Sequence, residues 1–352
     1  MIRVLIVDDS PAVRSALSKA LAEDAEIEVL GTAPNPIVAL EMLQQIRPDV
    51  VTCDVEMPGM DGLQFLQQVM RTKPLPVVIC SSKARRSPKL VLEALQAGAV
   101  AVVPKPHADY PLPRMIQDLK ATLKAAALSK PRLRASPPAA PPPPPATVTR
   151  TARPVSVIAV GSSTGGTVAF ETFARGLPHG HPCVVVAQHL PTEFVPRFAD
   201  RLNEVLASKV SVAQGGESLV PGHIYVAPGT HHLRIRREGV GLVTELWDAD
   251  NVNFHKPSCD VLLTSVATVA GRGAVGVILT GMGADGARGL LAMRRSGAAT
   301  LAQDEATSVV YGMPRAAMEL GAAEEQLPLE HLAGRIGQMI LATGARSVAR
   351  AG

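Results

Sequence analysis

Between Ser129 and Pro154 the chain carries Pro137-Pro138 and the unbroken run Pro141–Pro145, set among Ala, Ser, Thr and Arg. Proline lacks the amide donor that helices and sheets require, and this stretch has almost nothing apolar to bury. It cannot belong to a core. Folding must occur on either side of it, in residues 1–127 and 154–352, with residues 128–153 as a basic, semi-extended linker. At ~3.1 Å per residue in the polyproline conformation, its proline-rich part spans several nanometres.

Both flanking regions can hold a core, since 47% of the 352 residues are hydrophobic. The net charge of +4 suggests an anionic partner until the charges are located. Residues 1–127 carry 14 Lys and Arg against 14 Asp and Glu, and residues 155–352 carry 16 against 17. The excess lies in residues 128–154, with five basic residues and no acid. Aromatics are 3%, which leaves little on which bases could stack, so nucleic acid is not an expected partner. No apolar run reaches the length of a membrane helix, and Met1–Asp8 turns acidic too soon for a secretory signal. Cys53, Cys80, Cys183 and Cys259 lie far apart, three of them in apolar strand-like runs. That is the pattern of buried, reduced thiols in a cytoplasmic protein.

In the first region apolar runs near 2–7, 27–31, 49–53, 76–80 and 100–103 alternate with helical patterns near 11–23, 36–46, 62–71, 88–96 and 112–127. Such alternation predicts an α/β fold with a parallel, doubly wound sheet. The pattern resumes in the second region, with strands at 155–160, 183–187 and 274–279, each followed by a helix-like stretch. Ile224–Trp247, broken at Gly229-Thr230 and Glu238-Gly239, reads as an antiparallel excursion from a mostly parallel α/β domain.

Polar residues gather where the first region's strands end. Asp8 and Asp9 follow the first strand, Asp54 the third, Ser81 the fourth and Lys105 the fifth. In an open parallel sheet these carboxyl ends share one rim. Three clustered carboxylates repel unless a hard cation joins them, and Mg²⁺ suits oxygen donors. The cation would also neutralise an incoming phosphoryl group, leaving Asp54 as nucleophile, while Lys105 and Ser81 grip its oxygens. Taken singly, Asp8-Asp9 also reads as helix-capping acids beside Ser10-Pro11, and Lys105 as a solvated lysine. With Glu56-Met57-Pro58-Gly59-Met60-Asp61-Gly62 after the acceptor, residues 1–125 resemble the response-regulator receiver family. The resemblance implies a flavodoxin-like sheet of order 2-1-3-4-5, phosphoacceptor Asp54, metal-binding Asp8, Asp9 and Asp54, phosphoryl-switch residues Ser81 and Lys105, and a cis bond before Pro106. Val102 stands where the family usually carries a switch aromatic.

In the second region Gly161-Ser162-Ser163-Thr164-Gly165-Gly166 follows a strand and matches G-x-S-x-G, which puts Ser163 at the apex of a sharp turn. Free N–H groups at the start of the next helix could meet a developing oxyanion. The same loop could also bind an anion, or simply turn. A base is expected on the same rim: His189 ends the next strand, with His255 also able to line the cleft, while His179 and His181 precede that strand at the opposite edge. Asp285, after the strand at 274–279, could hold the imidazole. Gly281-Met282-Gly283-Ala284-Asp285-Gly286 also fits G-x-G-x-x-G with Asp304 downstream, a dinucleotide pattern, although an acid inside the loop would face the pyrophosphate.

With Gln188-His189, Val226-Ala227-Pro228-Gly229 and Lys256-Pro257-Ser258-Cys259-Asp260-Val261-Leu262, residues 154–345 resemble the catalytic domain of CheB-type chemotaxis methylesterases. The resemblance implies a triad of Ser163, His189 and Asp285, with Thr164 and the Met282 backbone at the oxyanion and no cofactor for the esterase. It further implies methyl-ester hydrolysis and glutamine deamidation on chemoreceptors, a chemotaxis histidine kinase as phosphodonor, and a receiver that covers the catalytic rim until Asp54 is phosphorylated. A fragment starting near Arg153 would then be more active than the whole chain. The competing reading is a phospho-switch whose second domain binds without turnover. A transcriptional regulator would need a helix-turn-helix, and none is evident after the linker.

Overall fold

Ser10, Asn35, Asp61 and Ser87 each precede a helix and accept a hydrogen bond from a backbone N–H three residues on; three of these helices open with proline. A side-chain acceptor followed by a residue already set at helical φ nucleates a helix at low cost. These caps punctuate the alternation read from the sequence. The computed structural model describes residues 1–82, 87–108, 110–129 and 155–348, and most of the linker at 128–153 therefore lies outside the described residues. The chain divides into two compact units, Met1–Ser136 and Pro137–Gly352.

The first unit runs β1 (Ile2–Val7), α1 (Pro11–Ala22), β2 (Ile27–Ala33), α2 (Pro36–Gln45), β3 (Val50–Cys53), α3 (Gly62–Thr72), β4 (Val77–Ser81), α4 (Pro88–Gln96), β5 (Ala101–Pro104) and α5 (Leu112–Ala127). The strands pair in parallel in the order β2-β1-β3-β4-β5. β3 and β4 are buried along their whole lengths, as helices on both faces of a parallel sheet require.

The second unit runs β6 (Val157–Ser162), α6 (Gly166–Arg175), β7 (Cys183–Gln188), α7 (Val195–Val205), β8 (Lys209–Val212), β9 (His223–Val226), β10 (His232–Glu238), β11 (Gly241–Trp247), α8 (Cys259–Ala270), β12 (Ala274–Ile278), α9 (Ala287–Arg295), β13 (Ala299–Gln303), α10 (Met313–Glu319), β14 (Glu325–Leu327) and α11 (Leu329–Val348). Its main sheet has seven parallel strands in the order β14-β13-β12-β6-β7-β9-β8. The antiparallel excursion is shorter than expected. It is the β10–β11 hairpin alone, whereas β9 is a parallel strand hydrogen-bonded to β7 and β8. An apolar run four residues long carries no mark of its partner's direction, and here burial between β7 and β8 decides it. The hairpin lies on α8, where Ser265 Oγ accepts from Ile235 N at 2.9 Å.

Cys53, Cys80, Cys183 and Cys259 are all free and buried. No described helix is long and apolar enough to cross a membrane.

Candidate functional site

In the second unit β6 lies between β12 and β7, so the chain leaves β6 toward one edge and later returns on the other side. Loops diverge at such a reversal and open a crevice at the carboxyl ends. The register brings Ser162 opposite Gln188 and Gly161 opposite Ile278. The residues just beyond are tied together: His189 N donates to Ser162 O at 3.0 Å and Ser163 N to Thr280 O at 3.1 Å. Gly165 turns the chain at φ +76°. A Cβ on Gly166 would lie 2.2 Å from Gln188 Oε1, so the loop can approach β7 this closely only with glycine there.

The two serines occupy different environments. Ser162 is fully buried and donates its hydroxyl to Gln188 Oε1 at 2.6 Å. Ser163 is partly exposed at the turn. The Gln188 amide also donates to Ser163 O (2.8 Å) and His189 O (3.1 Å), tying the backbones of two neighbouring loops with one buried side chain. The Q-H pair was visible in the sequence, but this clip was not.

His189 Nε2 lies 2.9 Å from Asp285 Oδ2, and its buried Nδ1 has no hydrogen-bond partner. His255 stacks on the His189 ring, with centroids 3.7 Å apart and planes 15° apart. Burial, reinforced by the neighbouring His189, pushes the His255 pKa down to about 4, so at neutral pH it lies against His189 as an uncharged plate. Asp285 also accepts from Asn253 Nδ2 (2.7 Å), Ser258 Oγ (2.7 Å), Cys259 N (2.6 Å) and Asp260 N (3.3 Å). Two of these donors are N–H groups in the first turn of α8, where the helix dipole favours an anion. Burial alone would raise the Asp285 pKa, but His189 and then Asn253 and Ser258 carry it far below the ordinary carboxylate value. Ser258 caps α8, accepting from Val261 N at 3.4 Å, and at the same time donates to Asp285; neither role was read from the sequence.

Thr164 and Met282 flank the same crevice. The Thr164 carbonyl accepts from Thr280 Oγ1 at 3.0 Å, while neither the Thr164 nor the Met282 N–H donates to another group among the described residues. His181 lies at the amino edge of β7, between Pro182 O and Ser208 Oγ. The dinucleotide reading of the Gly281–Gly286 loop fails on geometry. Its Asp285 is turned inward and saturated with donors, and Asp304 is spent on the local turn with Thr307.

The first unit reverses direction between β1 and β3, and its polar cluster sits there. Asp8, Asp9 and Asp54 present ligand oxygens within 4.8 Å of one another. Lys105 Nζ lies 2.5 Å from Asp54 Oδ2 and 2.7 Å from Asp8 Oδ2. Burial raises the Asp54 pKa in spite of Lys105. Asp8 Oδ2 is buried and meets the ammonium without forming a well-directed hydrogen bond. The Lys105 ammonium thus meets two of the three clustered carboxylates, the third, Asp9, being exposed, and this donor set fits a hard divalent cation. Ser81 is buried at the end of β4, and its carbonyl accepts from Lys105 N at 3.1 Å. Val102 packs, half-buried, against the core. One expectation is corrected: Lys105–Pro106 is trans, and the cis bond among the described residues is Lys256–Pro257. The X–Pro preference is only ~0.5–1 kcal/mol, too small for a Lys-Pro dipeptide to fix the isomer from the sequence alone.

Residues 158–336 match the CheB methylesterase family and residues 4–117 the response regulator receiver domain. A protein-glutamate methylesterase/protein-glutamine glutaminase of Anaeromyxobacter dehalogenans is 50% identical over 95% of this chain and 94% of its own length. One from Pseudomonas aeruginosa is 44% identical over 97% of this chain and 98% of its own. The Thermotoga maritima CheB methylesterase catalytic domain superposes with a TM-score of 0.51 at 33% identity, covering 53% of this chain and 98% of that structure. Two α/β units, in this order along one chain, thus have full-length counterparts, and the chain belongs to the CheB methylesterase family, in the form that carries a response regulator receiver domain ahead of the esterase domain.

Proposed function

We propose that this chain is a phosphorylation-activated serine esterase that removes methyl groups from glutamyl methyl esters of chemoreceptors and deamidates particular receptor glutamines. The observation that carries this reading is the His189–Asp285 pair, bonded through Nε2 at 2.9 Å, with Nδ1 left unpartnered one strand away from Ser163. Nδ1 takes the Ser163 proton as the oxygen attacks the ester carbonyl. The tetrahedral oxyanion is met by the free Thr164 and Met282 N–H groups, each donor being worth roughly 3 kcal/mol. Collapse releases methanol, protonated by His189, and leaves a glutamyl ester on Ser163. Water, deprotonated by the same imidazole, then frees the carboxylate and restores the serine. Deamidation follows the same course with ammonia as the leaving group.

Asp285 keeps its negative charge throughout, because its donors stabilise the anion. Neutral His255 covers one face of the imidazole without opposing the imidazolium charge.

In the first unit Asp54 is the phosphoacceptor, with a histidine kinase of the chemotaxis pathway as phosphodonor. Asp8, Asp9 and Asp54 would hold Mg²⁺, which supplies charge neutralisation at the transferring phosphoryl group. Lys105 and Ser81 take phosphoryl oxygens once Asp54 is modified, a reading supported by the Lys105–Asp54 contact. Methanol release from a methylated receptor, with and without acetyl phosphate, tests the reading. Ser163→Ala is expected to lower release by roughly 10⁴-fold or more. Release at the wild-type rate from that variant would end the serine mechanism.

A further inference from the structure

Phe254 is 95% exposed and sits on a backbone at φ +69°, immediately after Asn253 at φ +53°. Two consecutive non-glycine residues in the left-handed region are unfavourable, the more so when one is a bulky aromatic. The turn is nonetheless held firmly. Val252 and His255 exchange backbone hydrogen bonds at 3.1 and 3.0 Å. Asn253 Nδ2 bridges Asp260 Oδ2 (2.8 Å) and Asp285 Oδ1 (2.7 Å), and the His255 ring lies on His189. The residues on either side of Phe254 thus grip the His189–Asp285 pair, and the backbone between them throws the aromatic ring into solvent. Glycine at this position would carry the same conformation without strain or exposed apolar area. Such costs persist where an outward-facing side chain is used.

We propose that Phe254 is a docking anchor for the protein substrate, seated against an aliphatic side chain that neighbours the esterified glutamate. The inference rests on the esterase reading above and names a contact that selects its substrate. Position identifies the occupant. A protein that delivers a side-chain ester to His189 and Asp285 must lay its surface across the turn whose two ends touch those residues. Met282, on the loop that carries Asp285, is also an exposed apolar side chain (39%). A small free ester reaches the pair without covering Phe254. Aromatic anchors of this kind dominate protein recognition.

The experiment uses the full chain in two measurements. Binding of a receptor cytoplasmic fragment bearing glutamyl methyl esters is compared between Ser163→Ala and the double variant Ser163→Ala/Phe254→Ser. Separately, kcat/KM on that fragment is divided by kcat/KM on p-nitrophenyl acetate for the wild type, Phe254→Ser and Phe254→Leu. Phe254→Ser is expected to weaken fragment binding about tenfold and to lower the ratio about tenfold through KM, with Phe254→Leu recovering most of the loss. Equal binding together with an unchanged ratio overturns the anchor. So does faster turnover of p-nitrophenyl acetate in Phe254→Ser, which would make the ring a restraint on the site. Absence of methanol release from the wild type would sink the esterase reading instead, while the binding comparison would still decide the role of Phe254.

Discussion

Two aspartates at equivalent places in two sheets have opposite surroundings. Asp54 and Asp285 both lie beyond the carboxyl ends of central strands at a reversal of sheet order. Asp285 takes donors from a histidine, an asparagine, a serine and the first turn of a helix, and its pKa falls. Asp54 shares a lysine with Asp8 and accepts Glu56 N at 3.2 Å, and burial pushes its pKa up. Similar rims thus serve opposite ends. A carboxylate that must stay charged while a neighbouring group gains and loses protons is saturated with donors. On the proposed reading, the carboxylate that accepts a phosphoryl group is left with spare lone pairs and excess negative charge, which a cation would relieve.

That contrast can be broken most forcefully at Asp285. Asp285→Ala leaves His189, Ser258 and the start of α8 without their acceptor, so methanol release should fall by roughly 10⁴-fold. The second unit should also lose ~3–5 kcal/mol in chemical denaturation. Retained stability would show that the donors around Asp285 find other partners. Asp54→Asn should do the reverse. It removes one of the crowded carboxylates, so thermal stability of the first unit should hold or rise, while activation by acetyl phosphate disappears. A marked loss of stability would mean that the Lys105–Asp54 contact outweighs the repulsion.

Chelation of divalent cations sharpens the same point. EDTA should abolish the response to acetyl phosphate and leave basal methanol release within about twofold, because the donors at the two rims differ in kind. Equal loss of both would place a metal at the esterase rim.

The smallest effect concerns His255. Folded, it titrates at about 4, below the ordinary value of ~6.5, so between these values the unfolded chain binds a proton that the folded one does not. Its contribution to stability is therefore complete above the ordinary value and falls as pH drops toward 4. His255→Phe, which keeps a flat uncharged ring, should flatten the decline in Tm of the second unit over that window by a few degrees. It should also leave kcat on the methylated receptor within about threefold. An unchanged pH dependence would mean that His255 is not held neutral by its surroundings.

Legibility differed between the units for a physical reason. In the first, each strand expected from an apolar run is present within two residues of its expected bounds, because caps such as Ser10-Pro11 and Asn35-Pro36 mark where helices begin. In the second, β8, β13 and β14 had no apolar run long enough to announce them, and β9 was assigned to the wrong sheet direction. Short strands are specified by the neighbours that bury them, and those neighbours are distant in sequence. Among site residues, Ser163, His189 and Asp285 were nameable because each follows a recognisable strand. His255 was placed at the cleft without its stacking role, and Gln188, Asn253 and Ser258 had no named role, since a polar residue at a strand end or in a loop gives no sign of what it will touch.

The order of residues alone determined that a proline-rich segment separates two α/β units and which chemical groups stand at their strand ends. Local signals suffice there, for they depend on backbone preference and on apolar period. The partners of those groups were decided only in three dimensions. Asp285 meets His189 because β6 is buried between β7 and β12, a choice made by two sheet faces excluding water together. The same packing stacks His255 on His189 and leaves Phe254 outside. Hydrophobic burial is blind to sequence distance, so contacts spanning some ninety residues arise from it and not from any local pattern.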